Sequence, residues 1–228
     1  MKSEYLIFNM VVALMPFAAR LALVRMRLPR LVPAMLAICL SASVFIPLDI
    51  LMATRFWSYN SQFITGIHWL GLPVEELMFF FSVPLACLCI WENVRADSRV
   101  KYGRYYASAL SVGMPFAIYV ITGKPYPAVM ALLCAVLVGI DYCFNNSLAS
   151  IKAYWLFVGI LSLLTLVFNG YLTARPIVIY DATYISGLRI YTIPVEDFVF
   201  GWAMVTLAVG SYERIRTRIP PVKRSEVG

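Results

Sequence analysis

Seven apolar stretches, each close to the ~20 residues an α-helix needs to cross a hydrocarbon layer, leave this chain few ways to fold. They read as helices at 4–24, 31–54, 72–92, 105–122, 126–144, 152–173 and 192–213, joined by mostly short polar connections. In lipid every backbone N–H and C=O must find a partner within the protein, and a helix does this segment by segment. With 61% hydrophobic and only 14% charged residues, the composition excludes an ordinary soluble domain. The pattern implies an all-α integral membrane protein of about seven transmembrane helices. The first stretch has no basic leader and no convincing small-residue cleavage site, so it is read as a retained helix and not as a signal peptide.

The formal charge of +7 invites a nucleic-acid reading, but the basic residues flank apolar spans instead of clustering on one segment. Most Lys and Arg lie beside the connections after helices 1, 3 and 5 and in the tail 214–228. The positive-inside rule then places the N-terminus outside and the C-terminus in the cytoplasm of a multi-pass protein of the cytoplasmic membrane. Membrane lipids are expected partners, and nucleic acid is not. The five cysteines form no CxxC pair, and a single histidine argues against a zinc site; the cysteines are read as packing residues.

The chain also repeats itself. A shift of 121 residues brings Tyr59 onto Tyr180, Ile64 onto Ile185, Gly66 onto Gly187 and Phe79 onto Phe200. It lays Pro73-Val74-Glu75-Glu76 on Pro194-Val195-Glu196-Asp197, and Glu92 on Glu213. Identities concentrate around the acidic motifs. The shift carries helices 1–3 onto helices 5–7, which implies two parallel three-helix repeats, 1–94 and 123–213, joined by a connector helix within 95–122 and followed by a basic cytoplasmic tail, 214–228. Equivalent helices are four spans apart, so both repeats point the same way across the membrane, with a pseudo-twofold axis along its normal.

Two copies of an acidic pair at one depth call for an explanation. Proline followed by carboxylates suits any helix start, because the missing N–H costs nothing there and the dipole favours negative charge. Yet ionisable groups inside apolar spans cost about 2.5–3.5 kcal/mol near a helix centre, less near its end, and a plain cap could be Ser, Thr or Asn. Residues four apart share a face, so Glu75 sits beneath Phe79 and Glu196 beneath Phe200, while Glu76 and Asp197 point roughly 100° away. Aromatic residues crowd these segments: Trp57, Tyr59, Trp69, Phe79, Phe80, Phe81, Tyr180, Tyr184, Phe200 and Trp202. A carboxyl removed from water keeps its proton more readily and can serve as a general acid beside a neighbouring base. Aromatic faces stabilise cations that water cannot reach. Together these groups suit protonation of an alkene, a carbocation held by π faces, and loss of a proton elsewhere. For most of the individual aromatics, packing or interfacial anchoring is the plainer role.

The paired motifs, with YNSQFITGIHWLGLPVEELMFFF upstream of the first and FNGYLTARPIVIYDATYISGLRIYTIPVEDFVF around the second, resemble the carotenoid cyclase family. These are the small membrane lycopene cyclases that occur as two-subunit bacterial enzymes or as single fused chains. The resemblance spans helices 1 to 7. It implies a cofactor-independent lycopene β-cyclase, an isomerase of carotenoid biosynthesis converting the linear ends of lycopene to β-ionone rings, with β-carotene formed by way of γ-carotene. It assigns catalysis to Glu75, Glu76, Glu196 and Asp197, with Glu75 or Glu196 the expected proton donor. The chain contains no GxGxxG fingerprint, in keeping with a cyclase that uses no flavin. Substrate contacts are expected from Phe79, Phe80, Phe200, Tyr59, Tyr180, Asn169, Arg189 and Asp49, the last without a counterpart in the second half, where Gly170 stands. His68, aligned with Arg189, is read as a loop residue, and Glu92 and Glu213 as surface ion-pair partners of nearby arginines. Association with other membrane enzymes of the carotenoid pathway is a further expectation. Competing readings are a carotenoid hydratase, a cyclase of longer, fifty-carbon carotenoids, and a small proton-coupled transporter.

Overall fold

The computed structural model describes residues 2–22, 26–95, 104–144, 148 and 152–219. Among them are seven helices: α1 (Glu4–Ala22), α2 (Leu31–Met52), α3 (Val74–Val94), α4 (Arg104–Thr122), α5 (Pro125–Phe144), α6 (Lys152–Ala174) and α7 (Val195–Arg218). Four of them, α1, α2, α3 and α6, are long and apolar enough to cross a membrane, and α4 and α5 carry shorter apolar stretches. Large apolar side chains such as Leu14, Leu31, Leu51, Leu163 and Val167 point outward, as lipid-facing positions do.

Two helices begin later than the sequence pattern predicts. Leu72–Pro73 and Ile193–Pro194 are strands, β3 and β6, paired antiparallel with β2 (His68–Trp69) and β5 (Arg189–Ile190). Proline fits the step from strand to helix, since it needs no N–H partner and its φ already suits a first turn. The hairpins close with the Val74 N–H donating to Ile67 O at 2.9 Å and Val195 N–H to Leu188 O at 3.0 Å. The first hairpin turns through Leu70 (φ 50°) and Gly71 (φ 87°), a pair of left-handed residues that glycine eases. At the other end α7 is helical to Arg218, beyond the expected stop at 213, with Arg216 and Arg218 in its last turn where the dipole favours cations. The rest of the expected tail, and residues 96–103 of the expected connector, lie outside the described residues.

The halves meet through β1 (Trp57–Tyr59) and β4 (Val178–Tyr180), which pair antiparallel with Ser58 opposite Ile179. Those two positions are equivalent under the 121-residue shift, so the contact is self-complementary, as in a two-fold dimer. The flanking hydrogen bonds are reciprocal too: Asn60 N–H donates to Ile177 O at 3.0 Å, and Asp181 N–H to Phe56 O at 2.9 Å. At the far end of the helices Trp91 Nε1 donates to Glu213 at 2.8 Å, and its equivalent Tyr212 donates to Glu92. Glu92 and Glu213 also pair with Arg95 and Arg216, the i+3 partners read from the sequence, but Glu92 is buried beneath the Tyr212 hydroxyl and is not the surface residue expected. His68 is exposed, with Nδ1 2.9 Å from Gly66 O. Cys87, Cys89 and Cys134 are free and buried, Cys39 is free and exposed, and the Cys143 side chain lies outside the described residues.

Candidate active site

The strand pair β1–β4 covers one end of a cavity between α1, α3, α6 and α7, with about 980 Å³ of space not filled by atoms when its opening to the outside is counted. Its walls are mostly apolar, from Val12 and Met15 of α1 through Val83 and Ala86 of α3 to Leu161 and Leu164 of α6. Its polar groups gather near the strands: Tyr5, Asp49, Tyr59, Glu76, Tyr126, Asn169, Tyr180 and Asp197. Among the described residues that line it, none is Lys, Arg or His.

Each acidic motif divides its labour between two adjacent carboxyls. Glu75 and Glu196 turn away from the cavity and hold the preceding loop. Glu75 Oε1 accepts the Thr65 N–H at 2.6 Å, and Glu196 Oε1 accepts the Ser186 N–H at the same distance. Both side chains are fully or almost fully buried. The expectation that Glu75 or Glu196 donates the proton therefore meets a geometry in which each is bonded to its loop through Oε1, with Oε2 buried and without a hydrogen bond among the described residues, while Glu76 and Asp197 face the cavity. The reason is helical phase: Glu76 shares its inward face with Phe79 and Val83, and Asp197 with Phe200, Gly201 and Met204.

The second acids sit in matched but unequal surroundings. Tyr5 Oη donates to Glu76 Oε2 at 2.5 Å, and its equivalent Tyr126 donates to Asp197 Oδ1 at 3.0 Å. Asp197 Oδ2 also accepts from Asn169 Nδ2 at 2.8 Å and from Tyr180 Oη. Tyr59, equivalent to Tyr180, instead donates to Asp49 Oδ2 at 3.5 Å and itself accepts from Trp57 Nε1 at 3.1 Å. Burial, reinforced by the neighbouring Glu76 and Asp49, pushes the Tyr59 hydroxyl well above the usual phenol range; burial and Asp197 do the same to Tyr180. Both phenols thus stay neutral donors. Rings complete the site: Trp57 lies 5.5 Å from Tyr126, 6.0 Å from Tyr180 and 6.5 Å from Phe200, between centroids.

Of the other expected contact residues, Phe79 and Phe200 line the cavity and Phe80 does not; Phe80 is wholly buried, 6.4 Å from the Phe200 ring. Arg189 stands outside as well. It is exposed, donates to Thr192 O at 2.5 Å and holds its guanidinium 5.9 Å from the Tyr180 ring centre, so it touches the site only through that ring. Tyr5 and Tyr126 are partners of the acids that sequence reasoning missed. The signal was present, since the same shift of 121 carries one onto the other.

Comparison with known families decides what this arrangement belongs to. One family model, described as lycopene cyclase, matches residues 2–94 and then matches again at 123–215. The chain belongs to the lycopene cyclase family. It is a single-chain cyclase in which both repeats are members of that family, and the two matches are offset by the same 121 residues as the motifs. Its membership makes it an enzyme of carotenoid cyclisation, with a carotenoid as substrate. No curated protein and no solved structure matches the cyclase.

Proposed function

We propose that the chain is a lycopene β-cyclase in which Glu76 and Asp197, one carboxyl from each repeat, act on the same end of the substrate. One observation carries this reading: the second acid of each motif opens into one shared apolar cavity, lined by rings and free of basic side chains among the described residues. A carboxylic acid protonates the terminal double bond, leaving a cation on the tertiary carbon. The next trisubstituted alkene along the chain attacks that cation and closes a six-membered ring. The remaining carboxylate removes the proton from the ring carbon that has just formed the new bond, which sets the β double bond. Protons balance, and no electron is gained or lost overall. Trp57, Tyr126, Tyr180, Phe79 and Phe200 offer π faces to the migrating charge, at about 0.5–2 kcal/mol each. Because both acids serve one cavity, the two ends of lycopene are cyclised in separate binding events, with the monocyclic carotenoid released or turned between them.

The apolar helices and the family together support a membrane protein; seven passes, with the N-terminus outside, is the topology we infer from the distribution of basic residues. Two parallel repeats around a normal axis accord with the reciprocal pairing at Ser58 and Ile179. Pigment analysis in a lycopene-producing bacterium tests the reading. The wild-type chain alone is expected to convert lycopene to β-carotene, with Glu76→Gln and Asp197→Asn each losing that conversion at equal membrane abundance. Lycopene left intact by well-inserted wild-type protein would overturn it.

A further inference from the structure

The two halves contribute different third groups to the site. On α6, Asn169 reaches Asp197; on α2, the polar residue comes one position later in register and is a carboxyl, Asp49. Asp49 is 1% exposed, lines the same cavity as Glu76 and has no cation beside it in any described ion pair. A stacked tyrosine pair brings the two carboxyls together. The Tyr5 and Tyr59 rings lie 6.5 Å apart at 21°, Tyr5 bonded to Glu76 and Tyr59 to Asp49.

Three carboxyls facing an apolar space without a counter-ion cannot all be ionised, because like charges there repel with little screening and desolvation penalises each one. Hydrogen-bond accounting tells where the negative charge resides. Asp197 receives three donors spread over both oxygens, and the Asn169 amide nitrogen can only donate, which is the pattern a carboxylate satisfies. Glu76 and Asp49 draw on two described donors between them, Tyr5 on Glu76 and Tyr59 shared by both, and these phenols can also accept. Protons therefore belong on the Asp49–Glu76 side.

Resting on the cyclase reading above, we propose that Asp49 is a third carboxyl of the reaction, which with Glu76 forms the proton-donating half of the site, while Asp197 is the base. Glu76 gives its proton to the terminal alkene carbon, whose π pair becomes the new C–H bond, and Glu76 is left as a carboxylate. Asp49, still protonated, shares its own proton with that new carboxylate, so the pair's single negative charge is spread over both groups and balances the carbocation. Across the cavity Asp197 accepts the proton lost from the ring carbon, and the C–H pair becomes the ring double bond. The site resets when that proton returns from Asp197 to the Asp49–Glu76 pair. Duplication thus yielded two copies that have parted into acid and base.

Ring type separates this assignment from its reverse, since the base chooses which proton leaves and the acid does not. The experiment compares Asp49→Asn, Asp49→Glu, Glu76→Gln and Asp197→Glu in the full chain, in lycopene-producing cells, with membrane abundance measured for each. Asp49→Asn keeps the shape and the hydrogen bond but has no acidic proton to transfer; it is expected to lower cyclised pigment about 100-fold, the scale of a lost acid, with every remaining ring still β. Asp49→Glu should restore part of that loss. Asp197→Glu moves the base and should add ring isomers with the double bond elsewhere, or hydroxylated products of water capture. Wild-type yield from Asp49→Asn, or altered ring type from the Asp49 or Glu76 variants with unchanged type from Asp197→Glu, would overturn the assignment. An inactive wild-type chain would instead sink the cyclase reading beneath it.

Discussion

Between the halves run two seams, α2 against α7 and α3 against α6, which the 121-residue shift makes equivalent. The first is closed. α2 and α7 pack along much of their length, Ser41 Oγ donates to Met204 O at 3.0 Å, and Phe45 meets Phe200 edge to face at 5.2 Å. The second is open, with α3 and α6 standing apart around the cavity. Small sequence differences explain this. Ser162, the counterpart of Ser41, donates to Val158 O of its own helix at 2.7 Å and accepts from Trp202 Nε1 of α7 at 3.2 Å, so it ties α6 to α7 and not to α3. Gly201 stands where the first half has Phe80, and a Cβ there would meet nothing within 4 Å. A duplicated fold offers two candidate substrate channels, and this chain fills one with a phenyl ring and a helix–helix hydrogen bond while leaving the other empty.

The largest expected effect comes from making the seams alike. Gly201→Phe should place a ring in the open seam and cut cyclised pigment by about 100-fold, the scale of displacing a substrate by an ångström, with no loss in melting temperature in detergent. Retained activity would mean that the substrate lies elsewhere. In the opposite sense, Phe80→Ala should destabilise the protein by about 3–5 kcal/mol, whereas Gly201→Ala should stabilise it by up to ~1 kcal/mol. Thermal unfolding of the pair measures the difference directly.

A second contrast concerns the acids. Asn169→Asp would give the second half a carboxyl like Asp49 and let Asp197 share a proton, so the base is lost; cyclised pigment should fall about tenfold or more, while the α2–α7 seam keeps its stability. Ser41→Ala removes the tie across the closed seam and is expected to cost about 1 kcal/mol, read as a lower melting temperature with pigment type unchanged. The smallest effects belong to Glu75→Gln and Glu196→Gln. A Gln oxygen still accepts the loop N–H, so each should cost about 1 kcal/mol or less and leave pigment yield near wild type. A loss as deep as that of Glu76→Gln would mean that the first acid of each motif takes part in chemistry.

Much of the candidate site was legible in the sequence. The repeat in PVEE and PVED marked the carboxyls, and Asp49 and Asn169 stood out as polar residues inside apolar helices. Less legible was the choice within each acid pair. Phe79 lies four residues from Glu75 and three from Glu76, and both spacings put side chains on one helix face. Selecting between them required knowing that the loop N–H of Thr65 arrives on the Glu75 side. Phe80 and Arg189 lie off the cavity for a related reason: nearness in sequence to a motif says nothing about which neighbour covers which face.

By itself, then, the sequence determined the apolar helices, the duplication and the family, because hydrophobic spacing and motif identity are properties of order along the chain. Tertiary structure alone decided that Glu76 and Asp197 share one cavity, that one seam closes and the other opens, and that Asp197 gathers three donors while Asp49 and Glu76 divide two. Those outcomes depend on the rotation of each helix about its axis and on hydrogen bonds between residues 10 to 71 positions apart, from Tyr59–Asp49 to Tyr5–Glu76. No local pattern encodes either, since both are set by all the neighbours at once.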